Sequence, residues 1–222
     1  GSYMLQLWGV ATAQYDIKKK IKHVIGDDNR AAFYKAWLLN HCRKADIDSL
    51  AAWGFNSVRL PMHYNLYTLP IEEEPVAGQQ TWLSKGFEMT DSLLSWCKAN
   101  KIYLILDLHA APGAQGNDAP IADKDTSKPS LWESEANQQK TIALWRKLAE
   151  RYANEEWIGG YDLFNETNYG FLNPADKNGC ADTLNAPLKK LLEAITVAIR
   201  EVDQQHIIYV EGNCWANNYK GL

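Results

Sequence analysis

Short apolar runs ending in polar residues alternate along this chain with segments of helical period, and that alternation leaves few folds open. Asn56-Ser-Val-Arg59-Leu-Pro61, Ile102-Tyr-Leu-Ile-Leu-Asp107-Leu-His109, Ile158-Gly-Gly-Tyr-Asp-Leu-Phe-Asn165-Glu166 and His206-Ile-Ile-Tyr-Val-Glu211-Gly212 each read as a strand with a polar tip. With Leu5 to Val10 as the first, five strands are expected. Between them the period changes to that of a helix. Leu188, Leu191, Leu192, Ile195, Ile199 and Val202 fall on one face, with Pro187 suited to the first turn. Met89, Leu93, Trp96 and Cys97 predict a second helix, and Ile142, Trp145, Leu148, Ala149 and Tyr152 a third. Asp46 to Trp53 predicts a short one that Gly54 ends.

Strand, loop and helix in repetition imply parallel neighbours, because parallel strands need helical crossovers. The segments after the strands are long and polar, as in Ala110 to Ser130, and those before them are short. That asymmetry predicts an α/β fold of the (β/α)8 TIM barrel type, whose chemistry lies at the C-terminal strand ends. A doubly wound nucleotide-binding sheet has the same alternation but needs a glycine-rich phosphate loop after its first strand; Gly9-Val-Ala-Thr12 is not one. A barrel has eight strands and typically about 250 residues, so five βα units predict an incomplete barrel. Residues 1–222 are therefore expected to be the N-terminal part of a single domain, with 1–4 a tag remnant and the start of strand one.

Composition excludes several classes. The chain has 23 basic against 27 acidic residues and no basic stripe interleaved with aromatics, which argues against nucleic acid as a partner. Lys18-Lys-Lys20, the one basic run, is expected to be a solvated turn. No apolar run is long enough for a membrane span, so no membrane partner is expected. The four cysteines form no CxxC pair, which supports neither a zinc site nor a redox motif, and Cys97 is expected to face the core. Nine Trp and 11 Tyr against 5 Phe favour rings that present an apolar face and a polar handle, as sugar-binding clefts do. Trp37, Trp53, Trp96 and Trp145 sit in helical patterns and are expected in the core; Trp8, Trp82, Trp132 and Trp215, in loops or at strand ends, are candidate ligand contacts.

The strand at Ile158 delivers Asn165-Glu166 into a turn rich in Asn, Tyr and Gly, and an ionisable group at such a position needs partners to hold it. Glu166 is thus a candidate acid; the plainer alternative is a salt-bridged strand-end carboxylate. Arg59 fits equally a structural ion pair inside the barrel. Asp107 and His109 share a strand face, where Asp107 is expected to orient its neighbours; a metal site there lacks a third ligand of suitable spacing. His63, Tyr64, Asn168, Tyr169 and Asn213 are candidate cleft residues, although loop residues of these types also form turns.

Arg59 in Val-Arg-Leu-Pro, His109 in Leu-Asp-Leu-His and Asn165-Glu166, at the ends of successive strands, together resemble the family 5 glycoside hydrolases of the retaining TIM-barrel clan. The likeness runs from Leu5 onward. Trp53 to Pro61 and His109 to Gln115 resemble the family's bacterial β-glucanase and exo-glucanase-like branches. The resemblance implies that Glu166 is the general acid/base, that Asn165 holds the sugar 2-hydroxyl, and that Arg59 and His109 support a second carboxylate and the sugar at the cleavage point. His63, Tyr64, Trp132, Asn168, Tyr169, Asn213 and Trp215 are the candidate substrate contacts, and the resemblance implies a β-linked glucan or oligosaccharide as substrate, no cofactor, and a secreted or periplasmic location. The family's nucleophilic Glu comes from strand seven, which lies beyond the five expected here. Glu211, on strand five, is read as a cleft or structural residue, and the chain alone is expected to be inactive. The missing barrel half or a second copy is the expected protein partner. Mannan, xyloglucan or β-1,3-glucan remain open as substrates, as does a non-catalytic, sugar-binding or self-associating product that exposes the edge of strand five.

Overall fold

A computed structural model describes Gly9, residues 11–173 and residues 175–222. The expected strand at Leu5 to Val10, and Trp8 with it, lie outside these residues apart from Gly9, which is in a turn. The chain then forms α1 (Gln14–Ile25), α2 (Asp27–Asn40), α3 (Lys44–Ala52), β1 (Ser57–His63), α4 (Ser84–Ala99), β2 (Tyr103–Ala110), the short α5 (Ala119–Ala122), α6 (Glu135–Tyr152), β3 (Ile158–Asp162), α7 (Ala186–Arg200) and β4 (Ile208–Tyr209). The four strands make one parallel sheet in the order β1-β2-β3-β4, so each strand lies beside its successor as in an arc of a barrel.

The two sheet faces follow from strand alternation. On β2 Leu104, Leu106 and Leu108 are fully buried and turn to the helices, while Tyr103, Ile105, Asp107 and His109 share the opposite face. β1 repeats this with Val58, Leu60 and Met62 against Ser57, Arg59 and Pro61. The helices answer with the expected stripes: Leu93, Leu94 and Cys97 from α4, Leu144, Trp145 and Leu148 from α6, and Leu188, Leu191, Leu192, Ile195 and Ile199 from α7. Each fully buried side chain of this size stabilises the fold by about 1.5 to 3 kcal/mol. Trp145 also donates through Nε1 to the carbonyl of Leu163, 3.1 Å away, which fixes the backbone just before Asn165.

Some expectations fail for identifiable reasons. Trp53 is 73% exposed, because it sits at the C-cap of α3, past the helical face that packs. Trp37 lies on α2, which buries no residue, and stacks instead on His41 at 4.4 Å. Trp82 is partly buried and packs on the core beside Phe87. Lys18-Lys-Lys20 lies within α1 and is helix, not turn, although Lys19 and Lys20 are exposed as expected. Cysteine spacing did not reveal that Cys180 and Cys214 form a disulfide; Cys97 is buried as expected and Cys42 is exposed.

One buried polar network positions the long segment after β1. Lys140 of α6 is fully buried and pairs with Glu74, donating also to Thr68 Oγ1 at 3.2 Å and Gln80 Oε1 at 2.9 Å. Glu74 accepts from the Thr81 amide at 3.1 Å and its hydroxyl at 2.7 Å. Burial alone would raise the pKa of Glu74, but the bonds from Lys140 and Thr81 hold it below the ordinary glutamate value.

Candidate active site

The strand register brings chemistry-bearing side chains to one level. Pro61 pairs with Asp107 and Asp107 with Asp162, so the long Arg59 side chain, one inward step below Pro61, reaches the layer of both carboxylates. Its Nε donates to Asp162 Oδ2 at 2.9 Å, and the same oxygen lies 2.7 Å from Nη2. Nη1 lies 3.2 Å from Asp107 Oδ2, both terminal nitrogens donate to Asn165 Oδ1 at 3.2 Å, and Nη2 reaches Glu211 Oε1 at 3.0 Å. Burial works against the charge on Arg59, and Asp107, Asp162 and Glu211 more than offset it, so its pKa is raised. Asp107 Oδ2 is shared with His109 Nδ1 at 2.9 Å, the orienting role expected of it.

Beyond Asp162 the backbone stays tied to its neighbours, with the Leu163 amide on Tyr209 O at 3.2 Å and the Asn165 amide on Leu108 O at 3.3 Å. This carries Asn165-Glu166 to the mouth of the sheet. Glu166 then adopts φ 44°, a left-handed conformation that non-glycine residues seldom take. Its amide donates to Glu211 Oε2 at 2.6 Å, so Glu211 holds the turn with one oxygen and Arg59 with the other. Strain of this kind costs about 1 to 3 kcal/mol and persists only when neighbours enforce it. The Glu166 side chain remains partly exposed at the cleft.

Asp107 Oδ1, Asp162 Oδ1, Asn165 Nδ2 and Thr167 Oγ1 are buried without hydrogen-bond partners among the described residues, and all belong to this cluster or its adjoining turn. Asn165 therefore offers one unpartnered donor while its carbonyl oxygen is held by Arg59. Asp162 and Gln115 were not singled out by the sequence reading. Gln115 is fully buried; its Oε1 accepts from the Ala111 amide, and its Nε2 donates to the carbonyls of His109 and Asn165, which joins the turns after β2 and β3. Its place in the His109 to Gln115 motif was the one available signal.

The other expected contacts divide into two groups. His63 and Tyr64 stack at 5.2 Å beside a cavity of about 410 Å³ that also involves Tyr15, Glu72, Asp123 and Lys128. His63 Nδ1 accepts from the Asn65 amide, which leaves Nε2–H to donate to Asp123 Oδ2 at 2.8 Å. Burial first, then nearby carboxylates, pushes the Tyr64 phenol well above its usual range.

On the other flank, Asn168 and Asn213 are buried and act as pegs rather than as free sugar contacts. Asn168 accepts from the Asp118 amide and donates to Asn178; Asn213 accepts from the Tyr169 and Cys214 amides and donates to Tyr169 O and Asn185 Oδ1. Trp132 directs its Nε1–H to Gln115 O at 2.8 Å and packs its ring on Phe164, Tyr169 and Phe171, so it too braces the wall. Trp215 is partly exposed at the cleft, its Nε1 donating to Asp118 Oδ2 at 3.2 Å, within a run of left-handed residues, Cys214, Trp215 and Ala216.

The order Arg, Asp-x-His, Asn-Glu along consecutive parallel strands agrees with a match of residues 18–222 to the family described as cellulase (glycosyl hydrolase family 5). The chain belongs to glycosyl hydrolase family 5. Similar proteins include a β-xylosidase of Phanerodontia chrysosporium, 27% identical over 95% of this chain and 40% of the relative, and endoglucanase C of Acetivibrio thermocellus, 30% identical over 76% of this chain and 41% of the relative. A crystal structure of a glycoside hydrolase matches with a TM-score of 0.64 and 27% identity, covering 80% of this chain and 48% of the other. The family 5 chain thus has the architecture of a (β/α)8 barrel in part, and it spans between two fifths and half the length of the relatives it matches.

Proposed function

We propose that this family 5 chain carries the acid half of a retaining β-glycoside hydrolase site acting on β-linked glucans, with Glu166 as general acid/base. One observation carries the reading: Glu166 is held at the cleft in a strained turn, beside an Asn165 whose Nδ2 is a buried donor without a partner among the described residues. In this reading Nδ2 bonds the sugar 2-hydroxyl. Arg59 and His109, locked together through Asp107, support the sugar at the cleavage point, and Tyr169, Trp215, His63 and Tyr64 line the approach on either side.

Retaining hydrolysis requires a second carboxylate about 5 to 5.5 Å from the first, which attacks while the acid protonates the leaving oxygen. The carboxylates of this cluster are otherwise engaged: Asp107 and Asp162 bind Arg59 in the barrel wall, and Glu211 binds Arg59 and the Glu166 amide. The nucleophile in this reading comes from the remaining strands of the barrel, and the 222-residue chain alone is inactive. Its location is extracellular or periplasmic, which the Cys180–Cys214 disulfide supports, since such bonds persist in oxidising compartments.

The test is Glu166→Gln in a complete barrel containing this segment. Hydrolysis of cello- or laminari-oligosaccharides is expected to fall about 10²- to 10⁴-fold, with a much smaller loss on aryl glycosides whose leaving groups need no proton. Equal losses on both would refute the acid role. Measurable hydrolysis by the rigorously pure 222-residue chain would refute the absent nucleophile.

A further inference from the structure

We propose that Asp162 is the residue that positions Arg59, and that uptake of one proton on its unpartnered Oδ1 loosens the guanidinium and gives the cleft an acid limb independent of Glu166. The proposal rests on the sugar-cleavage reading only in its last readout. Asp162 lies on β3 and is 5% exposed. Its Oδ2 receives two guanidinium contacts, at 2.9 and 2.7 Å, whereas Asp107 and Glu211 each give Arg59 one. Nε is the nitrogen nearest the side-chain stem, so a bond there fixes the plane of the whole group, whereas Asp107 and Glu211 each meet a terminal nitrogen.

The other oxygen of Asp162, Oδ1, is buried and has no hydrogen-bond partner among the described residues, so a proton adds there without displacing Arg59 outright. The charge balance favours that proton. Asp107 of β2, Glu211 after β4 and Arg59 of β1 face Asp162, while His109 of β2 is turned to Asp107, so three carboxylates share one guanidinium. Burial pushes the Asp162 carboxyl up, Glu211 and Asp107 add to this, and Arg59 opposes it; the result is about 6. Once protonated, Asp162 keeps a neutral hydrogen bond but no ion pair. Arg59 is then drawn toward Asp107 and Glu211, away from the orientation that supports Asn165.

The experiment follows the Arg59 Nε–H resonance by ¹⁵N NMR in the 222-residue chain from pH 4.5 to 8. A one-proton shift with a midpoint near 6 is expected in the unaltered chain, and its absence overturns the proposal without any variant. In Asp162→Asn the shift is expected to vanish, with the resonance held near its low-pH position; in Asp107→Asn it is expected to persist. Persistence in Asp162→Asn overturns the proposal. Binding of cellobiose to the chain is then expected to weaken between pH 7 and 5 by a factor of up to about ten, the limit for a single linked proton. If the Arg59 shift appears but cellobiose binds at no pH, the sugar reading fails alone. If cellobiose binds and the Arg59 resonance stays flat, the positioning role fails alone.

Discussion

Replacing Lys140 by Met is expected to destabilise the fold by about 3 to 5 kcal/mol, the cost of leaving one member of a buried ion pair without its partner. The Lys140 side chain is 0% exposed and that of Glu74 2%, so water cannot solvate the carboxylate that remains. Thr81 would still donate to it, but two hydrogen bonds to a buried charge do not replace a cation. Urea unfolding followed by circular dichroism measures the loss. The double variant Lys140→Met with Glu74→Leu is expected to recover much of it, since an apolar pair of similar volume removes the desolvation cost; a double variant as unstable as the single one would show that the hydrogen bonds of Glu74 dominate. The pH dependence has a definite sign. The pKa of Glu74 is lowered on folding, so its contribution is complete above the unfolded value of about 4.3 and disappears as pH falls through the lower folded value. Glu74→Gln should flatten the stability curve in that acid window and leave its shape near neutrality unchanged.

Opening the Cys180–Cys214 bond, by a dithiol reductant or by a double Cys→Ala variant, is expected to cost about 4 kcal/mol, because the bond closes a loop with a sequence separation of 34. For a domain of this size that corresponds to a fall in melting temperature of roughly 8 to 16 °C, measurable by differential scanning calorimetry. Cys42→Ser is the control and should change little, as Cys42 is exposed and unpaired. The bond also joins the turn after β3 to the turn after β4, where Cys214, Trp215 and Ala216 hold left-handed conformations in succession. Without it that strained run is secured by the Trp215 amide on Thr167 O at 3.0 Å and the indole on Asp118. Proteolysis of the reduced chain should therefore begin between residues 170 and 185 or around Trp215, and a cut pattern unchanged by reduction would show that the hydrogen bonds of Asn213 suffice.

The sequence by itself determined the parallel alternation, the apolar faces of α4, α6 and α7, and the level at which Arg59, Asp107, His109 and Glu166 appear, because strand and helix periods assign faces over a few neighbouring residues. Those faces reappear in Leu104, Leu106 and Leu108 turned to the helices and Asp107 and His109 turned away. The same local logic located Asn165-Glu166, since a polar pair closing an apolar strand has a simple reading. It placed Trp53 in the core and Asn168 and Asn213 in the cleft, because a helical pattern does not say where the cap points and a loop residue does not reveal what its amide finds. Tertiary structure decided the rest. Asp162 meets Arg59 across 103 residues, Glu211 meets it across 152, and Lys140 meets Glu74 across 66. These partners are chosen by strand register and loop packing, which bring distant charges into a low-dielectric interior where each must find a counterpart; no local pattern records that choice.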